Sequence, residues 1–469
     1  MENKDYYIAL DLGSSNVVLM IGKKTQDNKL SIVDFAQIPV ASGAVVCGEI
    51  KNISAVEKAI REAMLQIQTR QGIKIAEVYT GISGHHIKLA QHSYHVFVGS
   101  DGEIKDSDVQ ALNDSMRNVQ APDTETILKI FPQDYIIDDT THVSNPEGMF
   151  GNKLEANFNF IIGNKLAVNR LQKALDKVEI AQKSLYLNAL VSSQAVVTTE
   201  EKEMGVAVLD LGAGTSDLTI FVDKTMAHMS VIPVGAEQIN KDIREFGFIE
   251  KYIEGIKTQY GMALVNEDIQ DELVGVPGRP SMEISLKNLS TIIQARLKDI
   301  LDYVQAEIKF YGFENQLRAG IIITGGGAKL KRISEFIKQY TSYDVRIATS
   351  EEYVSEDSLD IAANTSLSTV IGILLQAIND NDEPCVSVNE QVKPKQEEKP
   401  KQVDTRRVII DSELEDMLEQ EGAQDSEQEQ VEAASQDKKP NVFKRYWRKF
   451  VDSVEYVNDV PDENKDDKN

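Results

Sequence analysis

The sequence predicts an α/β protein made of two related halves around a cleft, with a long acidic segment behind them. Three observations predict it. Up to about residue 380, short β-rich runs (6–10, 206–209, 321–324) alternate with longer helical patterns (55–68, 286–310), as in layered α/β folds. One loop pattern occurs twice, as IALDLGSSN at 8–16 and AVLDLGAGTSD at 207–217. From 381 to 439 the composition shifts to Glu, Gln, Lys, Asp and Pro with few aromatics, too little apolar surface to offset the entropy of ordering.

Length and charge narrow the options. A chain of 469 residues, 41% hydrophobic, can bury several cores and suggests two to four domains. A net charge of -25, with no basic stripe before residue 438, excludes nucleic acid as the main partner. Cys47 and Cys385 are expected to be free thiols in a reducing cytosol. The opening MENKDYYIALDLG holds no signal-peptide core, no run reaches the roughly 18 apolar residues of a membrane span, and no lipidation motif is present; a cytosolic protein is expected. His85, His86, His92 and His95 are set aside as a metal site, because a strand would point His85 and His86 to opposite faces and no Cys or carboxylate cluster joins them.

Each loop copy begins as a strand ending in an aspartate. Asp11 and Asp210 would sit at turns where carboxylates hold the waters around Mg²⁺, an ion that keeps most of its hydration shell. The small residues beyond them let backbone N–H groups approach phosphate. One copy is a weak signal, since Asp-x-Gly marks many hairpins. Two copies, each leading into a strand-like run (17–21 and 218–222), read as a duplicated β-hairpin gripping phosphate from both sides of a cleft. A third segment, IIITGGGAKL at 321–330, reads as strand, glycine turn and helix; Gly325, Gly326 and Gly327 would let backbone lie against a base or ribose, with the helix N-terminus near phosphate. The other reading is plain helix–strand packing. Neither a Walker A sequence nor a GxGxxG after a strand occurs, so P-loop and Rossmann folds are poor fits.

Behind the acidic segment, VFKRYWRKFVDSV begins at residue 442. Phe443, Tyr446, Trp447, Phe450, Val451 and Val454 recur at helical spacing, flanked by Lys444, Arg445, Arg448 and Lys449. Such a stripe usually belongs to a core, but here it is isolated behind the tether and reads as a membrane-surface helix or as a ligand for a partner's groove. Its aromatic area at about 25 cal/mol per Å2, plus about 1 kcal/mol per cation at an anionic leaflet, suffices for reversible binding. Between Asp411 and Asp437 the tether carries no Lys or Arg, so self-repulsion should extend it beyond the roughly 40 Å of a flexible chain. An apolar island at 406–421 reads either as transient helix or as a short docking segment.

With two phosphate loops, two small-residue helices (188–197 and 362–374) and a glycine turn in this order, the chain resembles the actin, heat-shock chaperone and sugar-kinase superfamily. Within it, ASGAVVCGEI at 41–50, YTGISGHHI at 79–87, FPQDYIID at 131–138, NPEGMFGNKLEANFNFI at 145–161 and VIPVGAEQINKDI at 231–243 resemble the FtsA family of bacterial division proteins. That resemblance implies an actin-like fold with an FtsA-type inserted subdomain. It lays the chain out as 1–82 first half, 83–162 inserted subdomain, 163–190 return to the first half, 191–358 second half (small subdomain about 230–290) and 359–380 closing hinge helix. Then come 381–440 tether, 441–456 membrane-binding helix and 457–469 tail.

Carried over residue by residue, Gly13, Ser14, Ser15 and Asn16 match the first phosphate loop and Gly212, Gly214, Thr215 and Asp217 the second. Ala213 replaces a family glycine there, a single methyl that binding should tolerate. Gly235, Glu237, Glu254 and Lys257 match the ribose and adenine side, so the implied ligands are ATP and Mg²⁺. Asn188 takes the place of the residue that orients an attacking water; an amide cannot accept its proton, so hydrolysis, if any, should be slow, and the other reading is a helix cap. Arg296 and Asp299, on one helix face, match the dock of the FtsZ tail, or else form an ordinary ion pair. The implied function is a self-polymerising anchor of FtsZ filaments, working with later division proteins on the cytoplasmic face of the inner membrane at the division site. The rivals are a pilus-assembly actin homologue and a soluble kinase of the superfamily.

Overall fold

The computed structural model describes residues 5–117, 119–143, 145–265, 271–276 and 282–387. Its centre is two five-stranded sheets of the same design. In the first, the order across the sheet is Leu30–Pro39, Asn16–Lys24, Asp5–Leu12, Glu77–Ile82 and Ala181–Leu187. In the second it is Thr225–Ile232, Ser216–Val222, Val206–Leu211, Ile321–Thr324 and Val345–Ile347. Each half therefore places its third, second and first strands as an antiparallel meander and adds its fourth and fifth in parallel. The repeated loop sequence is the visible trace of a repeated topology: both copies join the first strand of a half to its second.

Burial explains the elements. The central strands Asp5–Leu12 and Val206–Leu211 carry continuous apolar runs because helices cover both faces, as parallel sheet demands. Helix Ile53–Gln71 buries Val56, Ala59, Ile60, Ala63 and Ile67 at helical spacing; Asn52 caps its start by accepting from the Ala55 N–H, and Gly72, at φ 65, ends it in the left-handed conformation that glycine adopts without strain. The 25-residue helix Leu286–Phe310 covers the second sheet in the same way, capped by Ser285.

Between the fourth and fifth strands of the first half lies a separate four-stranded sheet, ordered Lys88–Phe97, Lys153–Asn164, Glu125–Ile137, Thr141–Val143, with helix Asp106–Arg117 on one face. Alternate residues Leu154, Ala156, Phe158 and Phe160 point into its own core against Ile104 and Leu112. The residues form an actin-like fold with an inserted α/β subdomain.

After its fifth strand, each half sends a helix to the junction between the halves: Asn188–Gln194 and Ser368–Asn379. The second begins later than the small-residue pattern at 362–374 implied. Leu359–Ala362 is a single turn, Asn364 caps a short 3-10 turn at Thr365–Leu367, and the α-helix starts at Ser368 and runs on to Asn379. The two helices cross with Gly372 against the Val191 carbonyl, where an added Cβ would lie 2.1 Å from that oxygen.

Residues 382–387, expected to belong to the tether, are held against the first sheet instead. Val386 and Ser387 pair antiparallel with Tyr6 and Asp5, and the Cys385 N–H donates to the Tyr6 carbonyl at 2.8 Å. Three stacked tyrosines hold the segment: Tyr186 donates to the Asp382 carboxylate at 2.7 Å, Tyr7 to the Asp382 carbonyl at 3.2 Å and Tyr79 to the Glu383 carbonyl. Composition does not show this because the binding groups lie on the sheet, far away in sequence. The acidic tether beyond 387, the 406–421 island and the membrane-helix residues from Phe443 to Val454 fall outside the described residues.

The helix crossing supports a direct test. Gly372→Ala is expected to lower stability by about 1–3 kcal/mol, the usual cost of overpacking against backbone that cannot move aside. Gly255→Ala, in a helix where an added methyl meets nothing within 4 Å, should instead gain about 0.5–1 kcal/mol. Urea denaturation of the two variants against the parent measures both.

Candidate functional site

The two loops face each other across a cleft of about 800 Å3. From the first half it is lined by Asp11, Gly13, Ser14, Ser15 and Asn16; from the second by Asp210, Gly212, Ala213, Glu237, Glu254, Lys257, Gly325, Gly326 and Gly327. The loops touch: a Cβ on Gly214 would come within 2.2 Å of the Ser14 hydroxyl oxygen. The second loop rests on the turn at Gly235, where the Ala236 and Glu237 N–H groups donate to the Gly212 and Ala213 carbonyls at 2.9 Å. Gly235 lies so close that a side chain there would strike Ala213, whereas the methyl of Ala213 itself fits. Thr215 lies beyond the lining, in the turn that Gly212 closes.

Gly325 stands at φ 85, and a Cβ there would sit 2.3 Å from an Asp210 carboxylate oxygen. The chain continues as a 3-10 turn, Gly326–Lys329; the α-helix expected directly after the glycines begins only at Ile333.

Two carboxylates, Asp11 and Asp210, line the floor, and a third, Asp217, is buried close to them. Asn188 donates its amide N–H to Asp11 at 3.1 Å, Thr369 donates to Asp210 at 3.1 Å, and Ser83 crosses between halves to donate to Asp217 at 2.8 Å. Asn188 does not cap its helix; its side chain belongs to the cleft floor. Removal from bulk water, reinforced by the negative charge of Asp210, pushes Asp11 and Asp217 up to about 7, and desolvation raises Asp210 despite its hydroxyl partners. One oxygen of Asp217 and the amide oxygen of Asn188 are buried with no hydrogen-bond partner. Among the described residues no three His, Cys, Asp or Glu side chains converge closely enough to hold a metal directly. Unpaired acceptors around crowded carboxylates fit a hydrated divalent cation, which Asp11 and Asp210 would hold through its waters. The glycine cradles and the N–H groups beside them fit phosphate.

Sequence reasoning missed four groups here. Lys329 lines the cleft without a carboxylate partner, donating to Ser366 at 3.1 Å, and burial holds its ammonium below the usual lysine range. Its position two residues past the glycines was the available signal. Ser366 and Thr369 come from the second junction helix and its preceding turn, and Asn240 holds Glu254 at 2.7 Å beside the Lys257–Glu254 pair, also 2.7 Å; no local pattern marks them.

Arg296 and Asp299 are not among the cleft-lining residues. Arg296 grips Asp242 with two N–H groups at 2.8 and 2.9 Å and Asp299 with a third at 2.9 Å, so the ion pair exists as part of a three-residue bridge between helices Glu237–Arg244 and Leu286–Phe310. The histidines differ from the strand picture. Gly84–Ile87 is a turn, so His85 and His86 stack on the same side with ring centroids 6.3 Å apart, and burial presses His86 down to about 4.

A group whose pKa is raised on folding stabilises the fold below its unfolded value near 4, and that contribution is lost as pH climbs through about 7. Asp11→Asn should therefore make the metal-free protein more stable at pH 7.5, by about 1 kcal/mol or more, with little change at pH 4. Chemical denaturation in a chelator at the two pH values tests this.

The matches to known proteins agree with this geometry. A family model described as "SHS2 domain inserted in FTSA" matches residues 84–162, and one described as "Cell division protein FtsA" matches 207–372. Cell division protein FtsA of Neisseria meningitidis serogroup B is 34% identical over 380 residues, 80% of this chain and 91% of that protein. Its Pseudomonas aeruginosa counterpart is 30% identical over 375 residues, 79% and 89%. A solved PilM-PilN type IV pilus biogenesis complex superposes with a TM-score of 0.56 over 79% of this chain and 98% of that one; at 16% identity this likeness concerns the fold alone. With both the inserted sheet and the second half matched, and with relatives of this identity aligned along most of their length, the chain belongs to the FtsA family of cell division proteins.

Proposed function

We propose that this division protein binds ATP with Mg²⁺ in the cleft, self-assembles, and ties FtsZ filaments to the cytoplasmic face of the inner membrane at the division site. The observation that supports nucleotide binding most is the facing pair of loops with Asp11, Asp210 and Asp217 left short of cationic partners at their meeting point. ATP acts as an assembly ligand: Asn188 can orient a water but takes no proton from it, so turnover is slow. In the nucleotide-bound cleft the cation supplies charge neutralisation for the phosphates. Gly13 to Asn16 and Gly212 and Ala213 hold the phosphates by backbone N–H groups, and Glu254, Lys257 and Lys329 lie beside the nucleoside.

The FtsZ tail docks at the Arg296 bridge. Because Arg296 is half-buried and already shared by Asp242 and Asp299, it serves mainly to hold that surface in shape, with Asp299 the more open of the two acids at 43% side-chain exposure. The tail helix supplies membrane attachment through Phe443, Tyr446, Trp447 and Phe450 and their flanking cations. Among the described residues no single helix is long and apolar enough to cross a membrane. Membrane affinity rises steeply when protomers align, since many weak helices then bind together.

Co-sedimentation with vesicles containing anionic lipid tests the anchor: the full chain should pellet and a chain ending at Pro440 should stay in solution. Equal behaviour of the two removes membrane attachment from the reading. In solution, a peptide of the FtsZ C-terminal tail should bind the full chain, with Arg296→Ala weakening it roughly tenfold by removing the bridge that holds the docking surface in shape. No binding by the parent chain removes FtsZ and favours the pilus-type alternative.

A further inference from the structure

A second cavity, of about 470 Å3, lies at the opposite end of the crossing helices from the nucleotide cleft. Asn188 and Thr369, at the starts of the two helices, hold the cleft aspartates. Gln194, Gln376 and Asn379, at their ends, line the second cavity, and the Gly372–Val191 crossing forms its floor. Its walls come from both halves: Lys29 from the hairpin between the strands Asn16–Lys24 and Leu30–Pro39, and Lys202 from helix Thr199–Met204.

The chemistry of this cavity is unbalanced. Lys202 is half-buried and forms no ion pair among the described residues; its ammonium lies 5.2 Å from the centre of the Phe221 ring. The acids on either side of it are engaged elsewhere, Glu201 with Arg346 and Glu203 with Lys224. Burial holds the Lys202 ammonium below the ordinary lysine range. Lys29 also lacks an acidic partner, and the single carboxylate on the lining, Glu352, is exposed. A desolvated cation costs free energy unless something pairs with it, and side-chain amides supply neutral donors around the same space.

We propose that this cavity is a binding site for a small carboxylate- or phosphate-bearing anion, held by Lys202 and Lys29 with amide donors from Gln194 and Asn379, while Gln376 is engaged with Asp380 at 2.7 Å. The volume suits a small molecule, and the lining comes from both sides of the helix crossing. An anion seated there ties the hairpin of the first half to the helix of the second. It thereby biases the angle between the halves from the side away from the nucleotide cleft. The proposal stands whether or not the cleft takes ATP.

Equilibrium dialysis of the full chain against succinate, and separately against inorganic phosphate, tests the site and tells the two anion chemistries apart. At least one should bind at one equivalent per chain. Lys202→Met, which keeps most of the side-chain volume and removes the charge, should weaken it roughly tenfold. Lys202→Arg should hold affinity within a few-fold, and Lys329→Met, in the nucleotide cleft, should leave it unchanged. If neither anion binds, if Lys202→Met binds as the parent does, or if Lys329→Met abolishes binding, the proposal is wrong. Circular dichroism of the three variants separates loss of the site from loss of the fold.

Discussion

The structure depends on the crossing of two helices at one glycine. Each half sends a helix to the junction after its fifth strand, directly in the first half and after several short turns in the second, and Gly372 lets the two backbones meet at the Val191 carbonyl. That approach sets where both helices begin, and each beginning holds the aspartate of its own half: Asn188 holds Asp11, and Thr369 holds Asp210. The symmetry is one of the chain itself, the same strand order and the same strand-end carboxylate produced twice. A shift at the crossing would move both carboxylates together.

Electrostatics makes that arrangement conditional. Three carboxylates at or close to the cleft floor, two of them pushed up to about 7, repel one another and are poorly solvated. Hydroxyl and amide partners from Ser83, Thr369 and Asn188 offset part of the cost. The remaining imbalance is of the kind a hydrated cation relieves, so the same groups that weaken the empty fold would bind the ligand that closes it. The cross-half bonds from Ser83 to Asp217 and from Thr219 to the Ala189 carbonyl keep the halves together meanwhile.

Sequence range decides how much of this is legible in the residues alone. The loops at 8–16 and 207–217 are legible because a repeat is a local pattern seen twice, and the ends of Leu286–Phe310 and Ile321–Thr324 because apolar periodicity marks them. The inserted subdomain is legible from its family segments. Thr369, Ser366 and Asn240 are not, since each reaches the cleft only through the chain's return from a distant element. The strap at 382–387 is hidden for a related reason: a polar, proline-containing stretch looks unstructured until the tyrosines and strand edge that hold it are in place. The Arg296–Asp299 spacing gives the ion pair but not Asp242, which completes it from another helix.

The proposed function rests on one claim, that the cleft with its buried carboxylates takes nucleotide together with a divalent cation. Calorimetric titration of ATP into the full chain, with Mg²⁺ and then in excess chelator, tests it most directly. The account predicts one ATP per chain with Mg²⁺ and a loss of at least roughly tenfold in affinity without it, with Asp210→Asn behaving in Mg²⁺ much as the parent does in chelator. Binding that is indifferent to Mg²⁺ and to Asp210, or no binding at all, would contradict it.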